Sequence, residues 1–350
     1  MNTLATFGWT KKNQSDWDDL KFDGMQPARV VADFGTSLKL ATPDIITAEL
    51  SGKLAHYSGR DDTPKVGDWV AVRMLDSGAV VESVVLRSNE IARRVAGKRA
   101  LKQIFAANVD VAFVLLALDN DFSVERLKRF LFQLSVNKIE TAIVLNKADK
   151  TDDLQSYVTQ LESFNIPIIT STATDNSNVD AITSLIKQGR TAILLGSSGV
   201  GKSTLTNKLL GRQAQATDTV RASDSTGKHT TVHRELFILP NGGILIDTPG
   251  IRELQLWGTE EDLAANFDDI TQLANKCKYA NCQHASEKGC AIHQALANGK
   301  LDKNHYGNYL KMKSEVVILS AKNNERIHRE NGRTYKNEKI QNYRSLIDEE

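Results

Sequence analysis

The chain has 350 residues, with 44 Lys or Arg against 43 Asp or Glu, and 41% hydrophobic residues. That length allows two or three domains with separate cores. The near-zero net charge excludes a uniformly basic nucleic-acid binder, and apolar runs such as Val109 to Leu118 are too short to cross a bilayer. The first residues lack a basic stretch and an apolar signal core, so a cytoplasmic location without membrane attachment is expected.

In chain order, residues 1–28 form a polar and aromatic lead-in carrying Trp9 and Trp17, with room for one short helix. From Ala28 to Val85 come short β-type runs separated by turn residues: Ala28 to Ala32, Trp69 to Val72 and Ala79 to Val85. Their close spacing predicts a small barrel or sandwich. A five-stranded OB-type barrel fits the length, and an SH3-like barrel would read much the same. Val109 to Leu118 is continuously apolar, as expected for a strand buried on both faces of a parallel sheet.

A helix with Leu127, Phe130, Leu131 and Leu134 on one face follows, then a strand at Thr141 to Leu145. A helix over Leu154 to Phe164, a strand over Ile166 to Ile169, a helix over Val179 to Ile186 and a strand over Thr191 to Leu195 continue the alternation. This pattern predicts an α/β domain with a mainly parallel sheet. Pro240-Asn241-Gly242-Gly243 predicts a hairpin turn that delivers Asp247 at a strand end. After about Trp257 the chain reads as helical and charged. The expected division is a lead-in (1–28), an OB-fold barrel (29–100), a central α/β domain (101–256), and a mainly helical metal-binding region with a charged tail (257–350).

Three stretches carry nucleotide chemistry. Gly196-Ser197-Ser198-Gly199-Val200-Gly201-Lys202-Ser203, followed by Thr204, lies between a strand and a helix and matches a phosphate-binding loop. Its glycines let backbone N–H groups approach the phosphates, Lys202 would neutralise the β- and γ-phosphates, and Ser203 would ligate Mg²⁺. Asn146-Lys147-Ala148-Asp149 selects guanine. The Asp149 carboxylate can accept from guanine N1–H and the exocyclic amine, and adenine would leave it unpaired. Asn146 would hold the base loop, Lys147 would cover the base, and Ser171-Thr172 would complete the base contacts. Asp247-Thr248-Pro249-Gly250 would place a Mg²⁺-binding carboxylate and a γ-phosphate-sensing N–H.

The base motif precedes the phosphate loop, whereas small GTPases have the opposite order, so the domain is expected to be circularly permuted. Ile251 stands where many GTPases carry a water-orienting Gln. Hydrolysis therefore needs another group, and Thr226-Gly227-Lys228-His229-Thr230-Thr231 supplies candidates: His229 for the water, and Thr230 or Thr231 for Mg²⁺.

The three cysteines of the chain all fall between residues 277 and 290. Cys277-x4-Cys282-x-His284-x5-Cys290 offers four ligands for one structural Zn²⁺. His293 has feasible spacing as a rival fourth ligand. Two basic clusters, Arg87 to Lys102 and Lys276 to the end, each carry an excess of five positive charges and are candidate phosphate-binding surfaces.

The permuted order, Gly227-Lys228-His229-Thr230-Thr231, the run from Asp247 to Glu253, and the cysteine cluster together resemble the small ribosomal subunit biogenesis GTPase family RsgA (YjeQ/YloQ). The resemblance implies an OB-fold, a permuted GTPase domain and a zinc-binding C-terminal domain. It implies a monomer that binds GTP/GDP, Mg²⁺ and one Zn²⁺ and acts in late maturation of the 30S subunit. Its partners would be that subunit, its 16S rRNA and other assembly factors, and the subunit would stimulate hydrolysis. It also implies a catalytic role for His229 and favours His284 over His293. Two readings of other classes are an RNA-binding scaffold locked by GTP and a switch acting on a protein partner.

Overall fold

The computed structural model describes residues 3–35, 37–57, 63–76, 78–94, 102–119, 121–172, 178–213, 234–247, 256, 258–285, 287–318 and 321. Two compact units result: Met1–Arg93 with Lys102–Gln255, and Arg94–Leu101 with Leu256–Glu350.

The first unit opens with a 3-10 turn at Leu4–Phe7 and helix α1 at Lys11–Leu20. Thr10 caps α1 by accepting from the Asn13 N–H, which satisfies a donor that the first turn leaves free. The lead-in is packed down rather than loose. Trp9 meets Trp69 edge-on with ring centroids 4.6 Å apart, and Trp17 stacks obliquely on Phe22 at 4.6 Å.

Five strands close into a barrel: β1 (Gln26–Asp33), β2 (Leu38–Ala41), β3 (Ile45–Leu50), β4 (Trp69–Leu75) and β5 (Gly78–Val84). Around the barrel the order is β1-β2-β3-β5-β4, and β1 pairs with β4 to close it. β3 and β5 run parallel, and helix α2 (Gly52–Tyr57) lies between β3 and β4 in sequence. This is the OB arrangement, which resolves the choice left open between two barrel types. Inward residues Ala28, Val30, Leu40, Val70, Val72 and Val81 make the barrel core, and they alternate along each strand with outward ones.

Strand β6 (Glu90–Arg94) pairs with β7 (Lys102–Ala107) and leads to the α/β sheet. That sheet holds β8 (Val111–Ala117), β9 (Glu140–Asn146), β10 (Ile168–Thr170), β11 (Thr191–Leu195), β12 (Arg234–Ile238) and β13 (Ile244–Asp247), in the order β10-β9-β8-β11-β13-β12. All seven residues of β8 are buried. Val111, Phe113, Leu115 and Ala117 enter one core and Ala112, Val114 and Leu116 the other. A strand covered on both faces must be apolar throughout, which is why this run shows no alternation. Helices α3 (Val124–Val136), α4 (Leu154–Glu162), α5 (Val179–Leu185) and α6 (Lys202–Leu210) belong to this domain. The strands expected at Val109 to Leu118, Thr141 to Leu145, Ile166 to Ile169 and Thr191 to Leu195, and the helices between them, lie within a few residues of their expected positions, whereas β6 and β7 are not among the expected elements.

The barrel and the α/β sheet are continuous, because β1 also pairs with β12 (Ala32 opposite Glu235). At the junction Arg29 is 1% exposed and fully surrounded. Its guanidinium donates to the carbonyls of Phe7, Gly67 (3.3 Å) and Asn108 (3.3 Å) and to the Thr191 hydroxyl (2.9 Å). Its carbon lies 5.2 Å from the Trp69 ring centre. One side chain thus ties lead-in, barrel, linker and the start of β11. Burial pulls its pKa down to about 10, with Asp110 and Asp68 opposing, so it stays cationic at neutral pH. Gly67 permits the close approach: a β-carbon there would sit 2.2 Å from the Ala107 carbonyl oxygen.

Arg87, expected to belong to an exposed basic cluster, is instead committed to structure. It forks onto Asp68 with two contacts of 2.8 Å and also meets Glu90 at 3.3 Å. Burial raises the Asp68 pKa while Arg87 and Lys65 pull against it, so the carboxylate depends on this fork. The side chains of residues 93–100 lie outside the described residues.

The second unit contains α7 (Glu260–Asn266), α8 (Asp268–Ala274), α9 (Ala291–Ala297) and α10 (303–318). Leu263, Phe267, Ile270, Ile292, Met312 and Val316 are buried within it. No helix among the described residues is long and apolar enough to cross a membrane.

Candidate functional site

β9 and β11 both end on one side of the sheet, where open α/β folds place their ligands. The loop after β11, Gly196 to Gly201, runs into α6, with positive φ at Gly196, Gly199 and Gly201. Lys202 is buried and donates to the carbonyls of Gly196 (2.8 Å) and Ser197 (2.5 Å). The ammonium is thus held over its own loop, where an anion would draw it. Ser203 and Thr204 follow on the first turn of α6.

The base motif is bonded to this loop. Asn146, 6% exposed, donates from Nδ2 to the Val200 carbonyl at 2.7 Å, across 54 residues of sequence. Gly201 makes room for that amide. Lys147 takes a left-handed backbone (φ 58), which turns the chain into the short 3-10 helix holding Asp149. Asp149 is exposed, with Lys150 3.5 Å away. Ser171 closes the base loop from below: its carbonyl accepts from the Ala148 N–H at 3.1 Å and its own N–H donates to Leu145 at 2.7 Å. Thr172 accepts from Lys208 of α6 at 2.9 Å. Asp247 is 4% exposed at the end of β13, beside β11. His229, Thr230, Thr231 and Gly250 lie outside the described residues.

Two residues that the sequence reading passed over also meet here. Lys147 Nζ is 2.7 Å from Asp119, and the Ser197 hydroxyl donates to Asp121, which Arg126 of α3 also holds at 2.8 Å. The Lys147 hydrogen bond keeps the Asp119 carboxyl below its ordinary range. Burial opposes the same effect at Asp121, but the Ser197 and Arg126 bonds prevail. Both contacts therefore hold above the unfolded carboxylate pKa and are lost as pH falls through the lower folded values.

In the second unit, Cys277, Cys282, His284 and Cys290 bring their ligand atoms within 4.8 Å of one another. Cys277 Sγ lies 4.0 Å from Cys290 Sγ, and His284 Nδ1 lies 3.6 and 3.5 Å from those two sulfurs. Tetrahedral zinc with bonds of about 2.3 Å to sulfur needs ligand separations of roughly 3.5–4 Å, which the Cys277, His284 and Cys290 atoms already show, and with all four atoms within 4.8 Å the donor set fits after a small contraction. His284 reaches the cluster through a left-handed backbone (φ 57). His293 does not join it: its Nε2 donates to the His284 carbonyl at 3.0 Å and steadies that turn. The Ala291 N–H points at Cys277 Sγ (3.3 Å), an outer contact of the kind that orients thiolate ligands.

A family model described as RsgA GTPase matches residues 84–257. A small ribosomal subunit biogenesis GTPase RsgA of Xanthomonas euvesicatoria pv. vesicatoria (strain 85-10) is 42% identical over 334 residues, covering 91% of this chain and 90% of the relative. This chain belongs to the RsgA GTPase family. A second member, from Opitutus terrae, is 37% identical over 335 residues, with 91% of each chain covered.

The crystal structure of YjeQ from Thermotoga maritima aligns with a TM-score of 0.60 and 25% identity over 84% of this chain and 99% of that one. YloQ, described as a circularly permuted GTPase, shares the fold with a TM-score of 0.57 and 23% identity over 85% of this chain and 96% of its own. As an RsgA-family member the chain is a GTP hydrolase, built from an OB barrel, a permuted GTPase domain and a helical region with a Cys3His cluster.

Proposed function

We propose that this chain acts in assembly of the small ribosomal subunit, binding it in the GTP state and hydrolysing GTP to leave. The observation that carries the reading is the Asn146–Val200 bond of 2.7 Å. It seats a guanine-type motif on a phosphate-type loop although the two occur in permuted order, and relatives similar over 90% or more of both chains are named for small ribosomal subunit biogenesis.

In this reading Asp149 recognises guanine, Lys147 covers it, and Ser171 and Thr172 complete the base loop. Gly196 to Thr204 cradle the phosphates, and Lys202 leaves the Gly196 and Ser197 carbonyls for the β- and γ-phosphates. Ser203 and Asp247, with Thr230 or Thr231, would hold Mg²⁺, which supplies charge neutralisation at the transferring phosphoryl group. Gly250 would sense the γ-phosphate, and His229 would orient the attacking water in the role that Ile251 cannot fill. The barrel (29–100) and the region after 257 would dock on 16S rRNA, since such modules suit RNA surfaces.

Cosedimentation tests the docking. The chain should pellet with small subunits in the presence of a non-hydrolysable GTP analogue and be released with GDP. Equal binding in both nucleotide states, or preference for large subunits, would sink the cycle.

Cys277, Cys282, His284 and Cys290 would hold one Zn²⁺ that organises the second unit. Metal analysis of purified protein should give one zinc per chain, and a strong chelator should remove it with loss of helical circular dichroism. Cys290→Ser should lose the metal, whereas His293→Ala should keep it. Loss of the metal in His293→Ala but not in His284→Ala would reverse the ligand assignment.

A further inference from the structure

The turn between β8 and α3 reaches both halves of the nucleotide site. Asp119 accepts from the Asp121 N–H at 3.0 Å with one carboxylate oxygen and lies 2.7 Å from Lys147 Nζ with the other. Asp121 takes the hydroxyl of Ser197 on one oxygen and Arg126 on the other, and its own carbonyl also accepts from Arg126 at 3.2 Å. The turn is tied to the base strand too, because the Leu118 N–H donates to the Asn146 carbonyl at 2.9 Å. Two carboxylates beside an anion-binding loop would repel phosphate if their charges were free. Here each is matched by a cation, Lys147 or Arg126. Their remaining effect is geometric.

We propose that Asp119 and Asp121 are positioning residues for the nucleotide: Asp119 holds the Lys147 stem where it covers the base, and Asp121, braced by Arg126, anchors the phosphate loop through Ser197. This rests on the nucleotide-site reading above. When Lys202 turns to the phosphates, the carbonyls of Gly196 and Ser197 lose its ammonium. The Asp121–Ser197 bond then keeps that arm of the loop in place. The two carboxylates act on different ends of one ligand. Asp119 serves the base, which GMP, GDP and GTP share. Asp121 serves the loop that wraps the β-phosphate, which GMP lacks.

The test measures GMP, GDP and GTP affinities by competition with a fluorescent GDP, in full-length protein, beside melting temperature. Asp119→Ala should weaken all three nucleotides by the same factor, about tenfold. Asp121→Ala and Ser197→Ala should each weaken GDP and GTP about tenfold and leave GMP within twofold. The double variant should be no worse than either single one, since the two residues act through one bond. The proposal is overturned if each variant binds all three nucleotides as wild type does. It is equally overturned if Asp121→Ala lowers GMP and GDP together with a fall in melting temperature, or if the Asp121 and Ser197 effects add. Failure of the wild-type chain to bind GDP would instead overturn the nucleotide-site reading itself.

Discussion

Gly201→Ala is expected to lower GTP and GDP affinity by about thirtyfold or more, while the protein remains folded. Gly201 has φ +100, and a β-carbon there would stand 2.1 Å from the Asn146 amide nitrogen. That nitrogen belongs to the buried bond to Val200, so the clash cannot be relieved by moving a free side-chain end. An alanine would carry about 1–2 kcal/mol of backbone strain and break a buried hydrogen bond at about 1–3 kcal/mol. The disturbance falls where the phosphate loop joins the base motif. Titration with a fluorescent GDP, with melting temperature as a control, reads the effect. Binding within threefold of wild type would mean that the amide does not need that space.

Arg29→Met is expected to destabilise the first unit by about 3–5 kcal/mol, because buried acceptors lose their donor at about 1–3 kcal/mol each. The methionine fills much of the volume but strands the carbonyls of Phe7 and Asn108, whereas Gly67 keeps the Asn108 side-chain amide as a donor at 3.0 Å. Arg29→Lys should also be costly, because a single ammonium cannot reproduce the planar fork. The melting temperature should fall by roughly 10 °C. Trp9 and Trp69, whose rings meet at 4.6 Å beside this residue, should report the loosening as a red shift in tryptophan emission. A melting point within 2 °C of wild type would show that water replaces the lost donors.

The nucleotide and metal motifs are legible in sequence because their chemistry is local. Glycines, a lysine and a serine within eight residues define a phosphate loop wherever it sits, and permutation changes only the order in which motifs are met. The α/β strands are legible for a related reason: β8 is buried on both faces and so carries an unbroken apolar run.

What sequence does not show is set by distant partners. Arg29 stands in a run read simply as a strand, and its partners come from residues 7, 67, 108 and 191. Arg87 reads as one of several surface cations until Asp68 and Glu90 are placed beside it. Spacing leaves His284 and His293 open, because the choice depends on a left-handed turn at His284 that sends only its ring to the thiols. Asp119 and Asp121 match no strong pattern, and their meaning comes from Lys147 and Ser197, 28 and 76 residues away.

The barrel type is a further case. Alternating strands announce a barrel, but closure of β1 on β4 and the parallel β3–β5 pair are long-range pairings. The pairing of β1 with β12 also joins the barrel to the strand leading towards Asp247. A barrel-to-sheet connection thus exists within the first unit. The stretch from Thr248 to Gln255 lies outside the described residues.

Phosphate release at saturating GTP, with and without purified small ribosomal subunits, tests the proposed GTPase cycle most directly in the wild type and His229→Ala. The wild type alone should release phosphate slowly and be strongly stimulated by small but not large subunits, and His229→Ala should lose that stimulation with GTP affinity retained. Full subunit-stimulated release by His229→Ala would contradict the catalytic assignment, and absence of any stimulation in the wild type would contradict the proposed function.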